Sequence, residues 1–181
     1  MLKLTIQLSP EGWDEEKEEF VEPKTITICL EHSLVALSKW EAIWHKPFFS
    51  NQDKTLEETK SYIKCMTIDE DIDPEVYRHI TKSNEETIFQ YINDPMTATT
   101  FVEKKGKGGR GGVITTEIIY WWMTQLNIPV EFENWHINRL LTLVRVCNEK
   151  NNPGKKMSAK EIAARNAAIN AANRKRFNSK G

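Results

Sequence analysis

The stretch Gly106-Lys107-Gly108-Gly109-Arg110-Gly111 spells G-x-G-x-x-G. In a strand–turn–helix unit this pattern cradles the pyrophosphate of a dinucleotide. The glycines let the backbone approach the phosphates, and the N–H groups of the following helix bind them. Glu131 lies twenty residues after Gly111, where the ribose-binding acid of such a site belongs. Two requirements fail. The preceding residues, MTATTFVEKK (96–105), are polar and end in charges, unlike a strand buried on both faces. The following helix is capped at Thr115 or Thr116, too far beyond Gly111 for its first turn to hold a phosphate bound by the glycines. No second βαβ unit is visible, and the loop is not G-x-x-x-x-G-K-[ST]. Residues 104–112 therefore read as a flexible, solvated connector whose glycine and lysine content is that of a linker.

Other chemical signals are weaker. Asp69, Asp71 and Asp73 have D-x-D-x-D spacing, but the glycine and closing glutamate of a calcium loop are missing, so the cluster reads as a solvated helix start. The four histidines (His32, His45, His79, His136) form no H-x-x-x-H or H-E-x-x-H pair, which argues against a sequence-local metal site. Cys29, Cys65 and Cys147 are far apart and odd in number, as expected of small buried hydrophobes in a reducing compartment. No G-x-S-x-G elbow supports a serine nucleophile. Trp40, Trp44, Trp121, Trp122 and Trp135 fit either a core or a protein-binding patch, and spacing alone does not separate the two.

The elements around these residues follow from periodicity and caps. Leu2, Leu4, Ile6 and Leu8 alternate with polar residues, as do Ile26, Ile28 and Leu30, giving two half-buried strands joined by a long charged loop. Ser33 caps LVALSKWEAIW, and Pro47 ends it. Thr55-Leu56-Glu57-Glu58 is a capping box, Asp73-Pro74 opens a short helix, and Ser83-Asn84-Glu85-Glu86 is a second box before a helix closed by Pro95. Thr115 or Thr116 opens EIIYWWMTQL, which is apolar nearly all round and is expected at the centre of the core, Trp121 included. Asn134 caps WHINRLLTLVRVCNEK, and Ser158-Ala159-Lys160-Glu161 is a third box before an alanine-rich helix with little apolar surface. The expected fold is α+β and mostly α-helical, an N-terminal β-hairpin packed on a bundle of about six helices with a basic C-terminal helical tail. Residues 1–150 are taken as one domain and 151–181 as the tail.

Composition fits a soluble globular chain: 181 residues, 39% hydrophobic, 28% charged. No apolar run approaches the roughly 18 residues of a membrane span, and the N-terminus reads as a strand, not a signal peptide. The net charge of −1 conceals an uneven distribution. Residues 151–181 carry eight basic residues against one acid, Glu161, a net +7, which leaves −8 for the rest. Much of that negative charge lies in EGWDEEKEEFVE (11–22). An acidic body with a basic tail suggests an interaction arm.

Several segments in linear order carry a resemblance: LEHSLVALSKWEAIWHKPF, KTLEETKSYIKCMT, DPEVYRHI, MTATTF, ITTEIIYWWMTQLNIPVEFENWHINRLLTLVRVCNEKN and KKMS. Together they resemble the tail assembly chaperones of long-tailed (siphovirus-type) bacteriophages, over nearly the whole chain except the glycine loop and the alanine-rich tail. The resemblance implies a non-enzymatic role in the host cell cytoplasm during virion assembly, with no cofactor, metal or catalytic residue. Such chaperones bind the tape measure protein, keep it soluble, help recruit tail-tube protein, and are typically absent from the finished particle. Many exist in a second, longer form made by ribosomal frameshifting. The partners implied are the tape measure and tail-tube proteins, with a homo-oligomer left open and no membrane. Candidate partner-binding residues are Trp40, Trp44, Phe48, Lys155, Lys156, Arg174, Lys175 and Arg176. Two alternatives stand beside this reading. One is a structural neck or tail protein of the virion. The weaker is a nucleic-acid binder acting through its basic tail, whose only stacking residue is Phe177.

Overall fold

The computed structural model describes residues 1–9, 12–14, 19–50, 52–101, 112–151 and 159–177. The fold is α+β. Strands β1 (Leu2–Gln7) and β4 (Thr25–Leu30) pair antiparallel, Leu2 opposite Leu30 and Gln7 opposite Thr25. Period-two alternation turns Leu4, Ile6, Ile28 and Leu30 to one face, where all four are buried. The charged stretch between them differs from the plain loop expected. Strands β2 (Gly12–Asp14) and β3 (Glu19–Val21) form a second antiparallel pair, with Trp13 opposite Phe20. Pairing satisfies backbone donors and acceptors that a loop would leave to water.

Helix α1 (Leu34–Trp44) starts where Ser33 Oγ accepts the Ala36 N–H (3.2 Å). It stops at His45, before Pro47. His45 adopts a left-handed conformation (φ 52°), and its N–H closes on Glu41 O at 2.8 Å. Histidine is one of the few residue types enriched there. Helix α2 (Leu56–Met66) carries the expected Thr55–Glu58 capping box. The chain after it returns along β4: Ile68 N–H donates to Cys29 O (2.9 Å), and Glu31 N–H to Met66 O (2.9 Å). Part of the outer edge of β4 is thereby covered. Pro74–His79 is a 3₁₀ turn capped by Asp73. Helix α3 (Lys82–Asn93) begins a little earlier than the Ser83 box implies. Thr81 and Asn84 form the reciprocal cap, and Ser83 lies inside the first turn.

Helix α4 (Thr116–Gln125) differs most from expectation. Only Thr116, Ile119 and Met123 are buried, whereas Trp121 is 59% exposed and Ile118 also faces solvent. Packing covers one face of this helix, and its all-round apolar character did not place it at the centre of the core. After it, Val130–Asn134 forms a second 3₁₀ turn, so Asn134 ends an element instead of capping one. Helix α5 (Ile137–Asn151) is entered through His136, whose Nδ1 accepts the Asn138 N–H (3.3 Å). The Ile137 N–H donates to His32 O (2.7 Å), which ties the start of α5 to the start of α1.

The chain divides into two compact units, Met1–Arg145 and Val146–Gly181. The first holds the core: the inner face of the hairpin with Leu34, Leu37, Trp40, Met66, Ile119, Ile137 and Leu140. The second contains helix α6 (Ala159–Phe177), as its alanine content and helix propensity predict. Its described side chains are exposed. Residues 104–111 of the glycine connector and the Ser158 cap lie outside the described residues.

Candidate functional site

The sequence nominated two groups of residues, and the structure places the first in a single aromatic cluster. Trp40 and Trp44 lie one turn apart on α1, their rings 6.4 Å apart. Phe48 follows the left-handed turn at His45 and packs edge-on against Trp40 (5.2 Å) and tilted against Tyr62 of α2 (4.4 Å). The Lys54 ammonium sits 4.1 Å from the Phe48 ring centre and donates to Phe48 O (2.9 Å). Burial lowers the pKa of that amine, as removing a cation from water must. Trp40 is 2% exposed, and its indole N–H is bonded to Glu58 O (2.9 Å), so as folded it presents no surface to a partner. Trp44 and Phe48 are half-buried, with the Trp44 indole donating to Ser61 Oγ (3.1 Å). In the second group, Arg174 is exposed on α6, while Lys155, Lys156 and the side chains of Lys175 and Arg176 lie outside the described part.

Two glutamates hold this cluster in shape. Glu41 is buried on α1. Its Oε1 accepts the Phe48 N–H (2.7 Å), and its Oε2 accepts both the N–H (2.9 Å) and the hydroxyl (2.6 Å) of Thr116. A carboxylate from α1 thus caps the N-terminus of α4, where Thr115 makes no side-chain cap of its own. Backbone donors at a helix start favour an anion there. Glu58 does the same for α2 and also accepts Lys46 Nζ (2.5 Å). The Lys46 ammonium, together with the Thr55 bonds, holds the Glu58 carboxyl below the usual glutamate range. One sequence signal pointed to Glu41: a lone acid on an otherwise apolar stripe, four residues after Leu37 and beside Trp40.

Beside the aromatic cluster lies a pair of buried histidines. The rings of His32 and His136 meet edge-on at 5.0 Å. His32 Nδ1 shares a hydrogen bond with the Tyr62 hydroxyl, and His136 Nε2 bonds to Tyr91 O (3.0 Å). The Tyr91 hydroxyl donates to Glu31 (2.6 Å), which also pairs with the Met1 ammonium (2.6 Å). Burial and the neighbouring His136 push His32 down to about 3, and burial lowers His136 as well. Both rings are therefore neutral near pH 7, and their hydrogen bonds join β4, α2, α3 and α5. This is an arrangement of structural histidines, and their 104-residue separation gave no sequence signal.

The surface carries further features. On α4, Ile118, Trp121 and the half-exposed Trp122 line the face turned away from the core, at i, i+3 and i+4. Between α2, the first 3₁₀ turn and α3 lies a groove of about 300 Å³. Among the described residues, no group of three or more His, Cys, Asp or Glu side chains could hold a metal ion, and no helix is long and apolar enough to cross a membrane. No protein-family model matches the chain, and neither a curated protein nor a solved structure does.

Proposed function

We propose that this chain is a non-enzymatic assembly protein of the phage tail chaperone type, which binds the tape measure protein and assists growth of the tail tube. The observation that carries the reading is the outer face of α4. Ile118 and Trp121 are large, apolar and exposed on a well-formed helix, within the ITTEIIYWWMTQLNIPVEFENW segment of the resemblance. Surface tryptophan is enriched at the hot spots of protein interfaces, and an apolar helix face suits a partner that is itself helical and apolar. Holding such a partner in solution requires covered apolar surface and no nucleotide.

Co-expression with the tape measure protein is the direct test. The expected result is soluble tape measure protein that co-purifies with this chain. The reading fails if neither solubility nor co-purification depends on the chain. Mass spectrometry of purified virions separates it from a structural role, because a chaperone is absent from the particle and a neck or tail component is present in stoichiometric amount. At the level of the coding DNA, a slippery heptamer near the 3′ end with an overlapping frame supports the chaperone reading.

A further inference from the structure

We propose that the outer face of α4 and the hollow beside its first turn dock a basic amphipathic helix, with its apolar stripe on Trp121 and a Lys or Arg side chain in the hollow next to Glu117. The inference rests on the reading of this face as a partner surface, and it adds the charge of the partner. Trp121 is 59% exposed and makes no ring contact among the described residues, so it is free to anchor an apolar side chain. Glu117 stands one turn before it and flanks the same face. The Thr115 hydroxyl and its own backbone N–H hold the Glu117 carboxyl below the usual glutamate range. Both partners are neutral, so the negative charge stays uncompensated.

The hollow, of about 330 Å³, lies between the end of α1 and the start of α4, with Ser38, Ala42, His45 and Lys46 from the first and Thr115 and Glu117 from the second. It takes one long side chain but not a helix. Lys46 is already bound to Glu58 (2.5 Å), and the buried Glu41 beside it is occupied by the Phe48 and Thr116 donors. Glu117 is therefore the group left to meet an incoming cation. Residues 112–134 hold three acids, Glu117, Glu131 and Glu133, and no Lys or Arg. A second copy seated on this face would set acid against acid, which selects against self-association there. A cationic helix has the complementary sign. Its base and its apolar anchor must lie about one turn apart, as Glu117 and Trp121 do.

Calorimetric titration of the full chain with two designed peptides tests it. Each has about 18 residues, long enough to hold a helix, and the same leucine stripe, with lysine on the polar face of one and glutamate on that of the other. The lysine peptide should bind at least about tenfold more tightly, and added salt should narrow the difference. Glu117→Gln and Trp121→Ala should each weaken the lysine peptide about tenfold. Both positions are exposed, so unchanged melting temperatures serve as the folding control. Glu86→Lys, a larger charge change on the exposed side of α3, should stay within about twofold of wild type, which separates this face from general attraction to an acidic body. Equal binding of the two peptides overturns the proposal, and so does lysine-peptide binding indifferent to Glu117→Gln. Tape measure protein whose co-purification needs Trp121 but not Glu117 also overturns it, while leaving the chaperone reading intact. Lysine-peptide binding at this face without tape measure binding supports the inference and removes the chaperone reading.

Discussion

Trp40 on α1 and Trp121 on α4 occupy similar sequence contexts and opposite environments. Each belongs to a short aromatic-rich helix that opens on a polar cap. Trp40 is 2% exposed and Trp121 59% exposed. The difference lies in what surrounds each helix. Helix α1 is covered by α2 and by the turn carrying Phe48, and Lys54 closes over the cluster. Helix α4 is held through Glu41 at its start, through Ile119 and Met123 on its inner face, and through the Tyr120–Glu133 bond (2.8 Å). Its outer face has no covering element among the described residues. Aromatic content thus marks a helix as sticky without saying whether the chain itself or a partner covers it.

The comparison breaks first at Trp40. Trp40→Ala should cost about 3–5 kcal/mol in chemical denaturation, the range for deleting a buried aromatic, and a loss below 1 kcal/mol would show that the cluster is not core. The histidine pair makes the same region acid-sensitive. His32 titrates at about 3 in the fold and near the ordinary 6.5 when unfolded. Between those values the unfolded chain binds more protons, so stability must rise with pH there. Its contribution is complete above pH 6.5 and lost as pH falls towards about 3, a change of a few kcal/mol. Melts of His32→Gln should show a shallower acid dependence than wild type, and superimposable slopes would refute a buried neutral histidine.

Glu41→Ala sharpens the comparison by acting on both helices at once. It leaves the Phe48 and Thr116 donors without their acceptor, a loss of about 2–3 kcal/mol. Hydrogen exchange should rise at the first turn of α4 before it rises in α1. The smallest effect on stability is expected at Trp121. Trp121→Ala should stay within about 0.5 kcal/mol of wild type, as exposed positions do, while lowering co-purification of the tape measure protein. A large drop in melting temperature would return Trp121 to the core.

Much of the fold is legible along the chain because its causes are local. Ser33, Thr55 and Asp73 satisfy donors within three residues of themselves, and the alternation of Leu2 to Leu8 needs only the pleat of a strand. Where two local solutions compete, the sequence is less decisive. Thr81–Asn84 and Ser83–Glu86 are both plausible boxes a turn or less apart, and the contact of Asn84 with Thr5 O belongs to the folded chain alone. Burial of the aromatic residues is less legible. Trp40 is covered by Phe48 and α2, while Trp121, expected in the core, faces outward.

The sequence on its own settles the caps at Ser33, Thr55 and Asp73, the period of the paired strands, and the charge asymmetry between residues 1–150 and 151–181. Each of these depends on neighbours within a turn or two. Tertiary packing alone settles which tryptophans are covered, that Glu41 caps a helix seventy-five residues away, and that His32 and His136 meet with neutral rings. Periodicity tells which side chains share a face. What lies against that face depends on pairings across the whole chain, and burial, pKa and exposed surface follow from those pairings.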